Sequence, residues 1–281
     1  MFTQSTDIAK KCEILLIGNE LLIGKTRDLN LFWLGKQISP FGISVTRAIV
    51  IHDDIKEIES TIREMLAREP DYIFTSGGLG PTFDDETMEG IARGLDRELY
   101  LDETVLDWLT QRYQQGFKAG TYKDPGMNES RKKMAYLPVD STPLHNNAGA
   151  APGVMIVENK TKIFILPGVP RELQTIFSEE IAPILLEENA TIKFHEFGFR
   201  VDGVGESAMS EQVNALMKEI DDRIWIKSHA KHDGTRYYVE MDISGYGDDA
   251  FRDDVESVAL KVRQILEDLG GIISESKNEE E

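Results

Sequence analysis

An internal disulfide framework is closed to this chain, because Cys12 is its single cysteine. It sits at the edge of an apolar run, where a thiol behaves as a small buried hydrophobe. Basic residues are scarce beside acidic ones, 31 Lys and Arg against 50 Asp and Glu, for a formal net charge of −19. Nucleic acid and anionic bilayers both need a basic footprint, so neither is an expected partner. No stretch offers the roughly 20 apolar residues of a membrane span, and no secretory leader is recognisable. The expected location is the cytoplasm, where the glycosylation-type triplets at Asn128, Asn159 and Asn189 carry no meaning. Also missing are the Gly-Lys-Ser/Thr of a Walker loop, a GxGxxG turn and a GxSxG nucleophile. Internal repeats are absent too. At 281 residues the chain suits one large domain or two smaller ones.

What is present is concentrated in residues 73–90, IFTSGGLGPTFDDETMEG. Residues 71–75 read as a short buried strand. Gly77, Gly78 and Gly80 then let the backbone reach φ > 0 and approach a ligand. A helix is expected from Asp84 or Asp85, with Met88, Ile91, Ala92 and Leu95 at helical spacing. A glycine turn feeding a helix presents open N–H groups to an anion, and phosphate is the natural guest. Two carboxylates beside a phosphate would repel it, so Asp84 and Asp85 suggest a bridging divalent cation. Either aspartate would also serve as a helix cap.

The rest of the first part alternates strand and helix with short connections, the pattern of a parallel sheet wrapped by helices. Residues 13–17 (EILLI), 43–51 and 71–75 are the strands. Asp28 caps a helix through Leu31, Leu34 and Ile38, and Ile55, Ile58, Ile62 and Met65 mark another. In such sheets ligands bind beyond the carboxyl ends of the strands, where Glu20, Asp53 and the SGGLGPTFDD segment all fall. His52, Asp53 and Asp54 also suit a helix start. Further on, residues 116–126 form a loop, Arg131, Lys132 and Lys133 a short basic run, and residues 146–153 (NNAGAAPG) a loop of small residues. Residues 154–158 and 162–166 flank Asn159-Lys160 as a hairpin. LPGVPRE at residues 166–172 repeats the strand, glycine turn and helix-start order, with Gly168 in the turn and Pro170 in the first helical turn. Pro183 should kink or restart the helix.

From about residue 187 the order changes to a strand at 192–201, a helix at 205–220, strands at 223–228 and 236–244, and a long helix at 249–269. A small separate α+β domain is expected. The boundaries are therefore 1–186 for the first domain, 187–275 for the second, and 276–281 for a disordered acidic tail. His229 and His232 are three apart near a strand end, a poor spacing for zinc.

With those segments in view, the chain resembles the CinA family in its amino-terminal region, part of the molybdopterin-binding MoaB/MogA-like superfamily. GNELLIGKTRDLN at 18–30, TSGGLGPTFDDET at 75–87, NNAGAAPG at 146–153, LPGVPREL at 166–173 and GVGES at 203–207 carry the resemblance. It implies a three-layer α/β domain with a mostly parallel sheet that binds a phosphorylated pterin or nucleotide, followed by a small α+β domain. Phosphate or nucleotide contacts are expected at Thr75, Ser76, Gly77, Gly78, Gly80, Asn147, Gly149, Pro167, Gly168 and Pro170. Asp53, Asp84 and Asp85 would hold a divalent ion (Mg, Mn or Co), and Asp85, Asp53 and Glu20 would be catalytic, Glu20 positioning water. The activity implied is metal-dependent hydrolysis of a nucleotide pyrophosphate such as ADP-ribose. The alternatives are molybdopterin binding or adenylyl transfer in molybdenum cofactor biosynthesis, and a non-catalytic nucleotide-binding module. A homo-oligomer is also implied. The family's nicotinamide mononucleotide deamidase domain has no counterpart in this sequence.

Overall fold

The computed structural model describes residues 9–275, so the leader and the 276–281 tail lie outside the described residues. In chain order the elements are β1 (Lys10–Ile17), α1 (Asn19–Leu22), α2 (Asn30–Ile38), β2 (Ile43–Ile51), α3 (Ile55–Ala67), β3 (Tyr72–Ser76), α4 (Thr87–Gly94), β4 (Leu99–Leu101), α5 (Glu103–Lys118), α6 (Glu129–Lys133) and β5 (Tyr136–Pro138). They continue with β6 (Ser141–Leu144), β7 (Gly153–Glu158), β8 (Thr161–Leu166), α7 (Pro170–Ile176), α8 (Ala182–Glu188), β9 (Lys193–Asp202), α9 (Glu206–Leu216), β10 (Ile224–His232), β11 (Tyr237–Gly247), α10 (Phe251–Asp268) and β12 (Ile272–Glu275).

These elements pack as two units, Lys10–Ile38 with Ser44–Glu188, and Ser39–Ile43 with the chain from Asn189 onward. The larger unit is mixed α/β around a six-stranded, mostly parallel sheet in the order β2-β1-β3-β8-β7-β6. Its central strands read as unbroken apolar runs because helices cover both faces. β3 is buried at all five positions. Phe74 and Phe164 stack across the β3–β8 pair with centroids 5.0 Å apart. The register decides where a ligand can bind. Leu16 of β1 pairs with Ser76 of β3, which pairs with Leu166 of β8, all parallel. β3 and β8 therefore end level and β1 runs one residue further, so Gly18, Gly77 and Pro167 emerge on one rim, as expected for a parallel sheet.

The hairpin at Asn159 is present, with Asn159 at φ 53° between antiparallel β7 and β8. A π-helical stretch at Phe177–Ile181 precedes α8, whose second residue is Pro183. A missing proline N–H accounts for such a break. One boundary differs from the sequence reading: α4 begins at Thr87, not at Asp84 or Asp85. Both aspartates instead accept hydrogen bonds within a turn built around Thr82.

The smaller unit is an antiparallel sheet in the order β10-β11-β9-β12 with α9 and α10. Its core gathers Phe199, Val201, Met241 and Ile243 from the sheet and Val255, Val258, Val262 and Leu266 from α10, the last four at helical spacing. Ser39–Ile43 joins this unit although it lies far away in sequence. Gly42, at φ 69°, is so close to the Ile192 backbone that a side chain there would collide with it, and the Tyr246 hydroxyl donates to the Ile43 carbonyl at 3.2 Å. His229 lies 3.4 Å from Asp242, and the His232 ring meets Tyr237 edge-on.

Candidate phosphate-binding site

Two consecutive glycines shape the rim. Gly77 has φ 116° and Gly78 has φ 66°, values that L side chains rarely adopt. Space imposes the same choice. A Cβ on Gly77 would strike the Ile17 carbonyl, and one on Gly78 would strike the Thr87 hydroxyl and lie 2.6 Å from Asp53 Oδ2. The Gly77 N–H donates to the Leu166 carbonyl at 3.0 Å, which ties the turn to β8. The amides of Gly78, Leu79 and Gly80 have no backbone acceptor among the described residues. Successive open N–H groups in such a turn make an anion-binding concavity.

Carboxylates flank the turn. Asp54 caps α3, accepting from the Lys56 and Glu57 amides at 3.0 Å each. Asp53 is thereby left free of the cap and accepts the Glu86 N–H at 3.1 Å. Burial pushes the Asp53 carboxyl up to about 6; the Glu86 amide opposes that shift, and the charges of Asp85, Glu86 and Asp84 add to it. Asp85 Oδ2 accepts from the Thr82 amide at 2.8 Å and the Thr82 hydroxyl at 2.6 Å. Asp84 is exposed, and its hydrogen bond from Thr82 holds it below the usual carboxylate range. Lys133 Nζ donates to the Thr82 carbonyl at 2.9 Å. The basic run therefore fastens this loop, and Arg131 lies over the Tyr113 ring at 3.9 Å.

A cavity of about 690 Å³ opens over the turn. Of the expected residues, Glu20, Asp53, Gly77, Gly78, Gly80, Asp84, Asp85, Gly149, Pro167, Gly168 and Pro170 all line it. Thr75, Ser76 and Asn147 do not. Thr75 is fully buried, since β3 is covered on both faces. The Ser76 hydroxyl accepts from Asn30 Nδ2 at 2.9 Å, and Asn147 Nδ2 donates to Glu179 at 2.5 Å. Among the described residues no three His, Cys, Asp or Glu side chains are grouped to hold a metal ion. The reason is local, because Thr82 draws Asp84 and Asp85 into its own turn.

Residues that the sequence reading passed over complete the cavity. Arg112 on α5 lines it, donating to the Ala148 carbonyl at 2.9 Å. Glu172 lines it too; burial raises its carboxyl, against the opposing Asn146 amide and the Arg112 charge. Asn146 organises the small-residue loop, donating to Glu172 at 2.6 Å and accepting from the Gly149 amide at 2.8 Å. The Pro-Arg-Glu and Asn-Asn pairings across 26 residues had no local signal, whereas Arg112 carried only that of a polar residue on an amphipathic helix.

Residues 13–187 match the family described as a probable molybdopterin binding domain. The chain belongs to that family. Relatives in archaea match along almost the whole length: one from Metallosphaera sedula is 38% identical over 95% of this chain and 98% of its own, and one from Pyrococcus horikoshii is 37% identical over 90% and 93%. Among solved structures, the protein CinA of unknown function from Thermoplasma acidophilum is 35% identical, with a TM-score of 0.55 over 63% of this chain and 98% of its own. The described cavity falls within the family match. The family match supports the pterin-binding alternative better than the hydrolytic expectation.

Proposed function

We propose that the larger unit binds a phosphorylated pterin of the molybdopterin class, with its phosphate on the Gly77–Gly80 turn. The observation that carries this reading is the pair of positive-φ glycines with open amides in the wall of the cavity that the family match spans. Amides fixed in this way bind an anion without the cost of ordering a flexible cation. The acidic chain thus needs no basic patch to hold a phosphate.

A divalent cation fits beside the turn. Asp53 is held partly buried among carboxylates with a single amide donor to offset them, which is the setting a cation relieves. Asp53 and Asp85 are the residues that would hold it, the remaining places falling to phosphate oxygen and water, as magnesium allows. When bound, such an ion neutralises phosphate charge and polarises a phosphoryl oxygen. Asp84, fully exposed, is left outside this set. Arg112 steadies the 146–151 loop over the cavity, and Gly149 lets that loop come against Glu172.

Calorimetric titration with isolated molybdopterin, with and without magnesium, tests the proposal. Saturable binding that magnesium strengthens supports it, and absence of binding to the folded chain removes it. Two assays assign chemistry: pyrophosphate released from ATP only when molybdopterin is added marks adenylyl transfer. AMP formed from ADP-ribose in water alone would replace the pterin reading with the hydrolytic one.

A further inference from the structure

A second hollow of about 420 Å³ lies against the same glycine turn, sharing Gly78, Leu79, Gly80, Asp85 and Met134 with the first. Its volume is in the range of small-molecule sites. Its character is different. Leu79, Met88, Leu99, Met134, Tyr136 and Pro152 supply apolar walls, and Phe83, 91% exposed, stands among its lining residues. Its ring face is open to stack on whatever enters the hollow.

Several polar groups of this hollow are engaged elsewhere. Glu89 is paired with Arg93 at 2.5 Å, Asp85 is held by Thr82, and Lys133 donates to the Thr82 carbonyl. The exceptions are two carboxylates, Glu86 at the N-cap of α4 and the exposed Glu129 at the start of α6. Glu86 is half-buried and its side chain makes no capping hydrogen bond, while its backbone N–H donates to Asp53 and its carbonyl accepts from the Gly90 N–H. A hollow with apolar walls and an open carboxylate repels phosphate and suits an uncharged flat ring with N–H donors. Two acceptor oxygens are best met by two adjacent donors. That pattern belongs to the 2-amino-4-oxo edge shared by pterins and guanine, whereas adenine sets its amino group beside an acceptor nitrogen.

We propose that this hollow is a ring subsite for a 2-amino-4-oxo heterocycle, with Glu86 pairing to its N–H edge and Phe83 lying over its face. The proposal rests on the phosphate reading of the glycine turn, which separates the two ends of one ligand by charge. Phosphate faces the open amides on one side, and the ring faces Glu86 and the apolar walls on the other.

The test uses the full chain labelled at methionine methyls and backbone amides, titrated separately with neopterin, GMP, AMP and inorganic pyrophosphate. Met88 lines only the second hollow, so its methyl resonance reports the ring. Neopterin and GMP should move it, and pyrophosphate should move the Gly78 to Gly80 amides without it. Glu86→Gln should weaken neopterin and GMP about tenfold, the loss of one charged partner, and leave AMP and pyrophosphate within about twofold. Phe83→Ser should weaken both ring ligands by about threefold, as for loss of one stacking face. Binding of neopterin alone identifies a pterin and of GMP alone a guanine nucleotide; either supports the shared edge. If Met88 stays still with both while pyrophosphate moves the glycine amides, the ring subsite is wrong and the phosphate reading stands. If Glu86→Gln weakens AMP as much as GMP, the edge assignment is wrong. If pyrophosphate leaves the glycine amides still, the phosphate reading fails on its own terms.

Discussion

β3 and β8 are register neighbours, and each runs into a glycine turn and then toward a helix. The turn after β3 has two positive-φ glycines, open amides and carboxylates on its far side. The turn after β8 has neither strained glycine nor flanking acid pair. Its Gly168 carbonyl accepts from Asn30 Nδ2 at 2.8 Å, and Pro170 opens α7. A Cβ on Gly168 would lie 3.3 Å from Gly77 Cα. The second glycine therefore makes room for the first. One sequence design thus serves twice, once to hold a ligand and once to support the loop that holds it.

That contrast is open to direct attack. The largest effect should come from Gly77→Ala, which combines a forbidden φ with collision against the Ile17 carbonyl. A loss of about 3 kcal/mol or more in chemical denaturation is expected, and a neutral substitution would refute the strained turn. Next, Asn30→Ala removes the bonds to Ser76 and the Gly168 carbonyl under both turns. It should cost about 2 kcal/mol by the same measurement, since two hydrogen bonds from a buried amide are lost. Gly168→Ala should cost about 1 kcal/mol and weaken phosphate binding through the displaced Gly77. If it weakens binding no more than a distant surface change does, the supporting role fails.

The smallest stability effect concerns Asp53, and its sign is opposite to that of a salt-bridged acid. Its folded carboxyl titrates near 6, above the unfolded value near 3.8. The folded state holds the proton more tightly, so this group adds no penalty below the unfolded value. A destabilising cost grows as pH rises through that window and is complete above about 6. Asp53→Asn should therefore raise the melting temperature slightly at pH 7 and flatten its decline between pH 4 and 7, while magnesium-dependent ligand binding falls about tenfold or more. A variant both less stable and fully able to bind would contradict the assignment.

Much of this architecture was legible because the deciding signals are local. The EILLI run, the apolar 71–75 strand and the Asn159 turn each carry their own pattern, and register then brings Gly18, Gly77 and Pro167 to one edge. Distant pairings were not legible. Asn30 beneath Ser76 and Gly168, Arg112 on the 147–148 carbonyls, and Ser39–Ile43 within the smaller unit depend on contacts that span 35 residues or more. The start of α4 was misplaced for a competing local reason: Thr82 offers Asp84 and Asp85 hydrogen bonds that suit a turn better than a cap. Thr75 reads as the end of the 71–75 strand and Ser76 as the first residue beyond it, but Ser76 too belongs to a strand buried at every position.

The central claim is that a phosphate sits on the amides after β3 and not on those after β8. An amide-resolved titration of the full chain with molybdopterin in magnesium tests it most directly. The account predicts large, saturable shifts at Gly78, Leu79 and Gly80, and small ones at Gly168 and Val169. Shifts confined to the turn after β8, or none at either turn while the ligand binds, would contradict it.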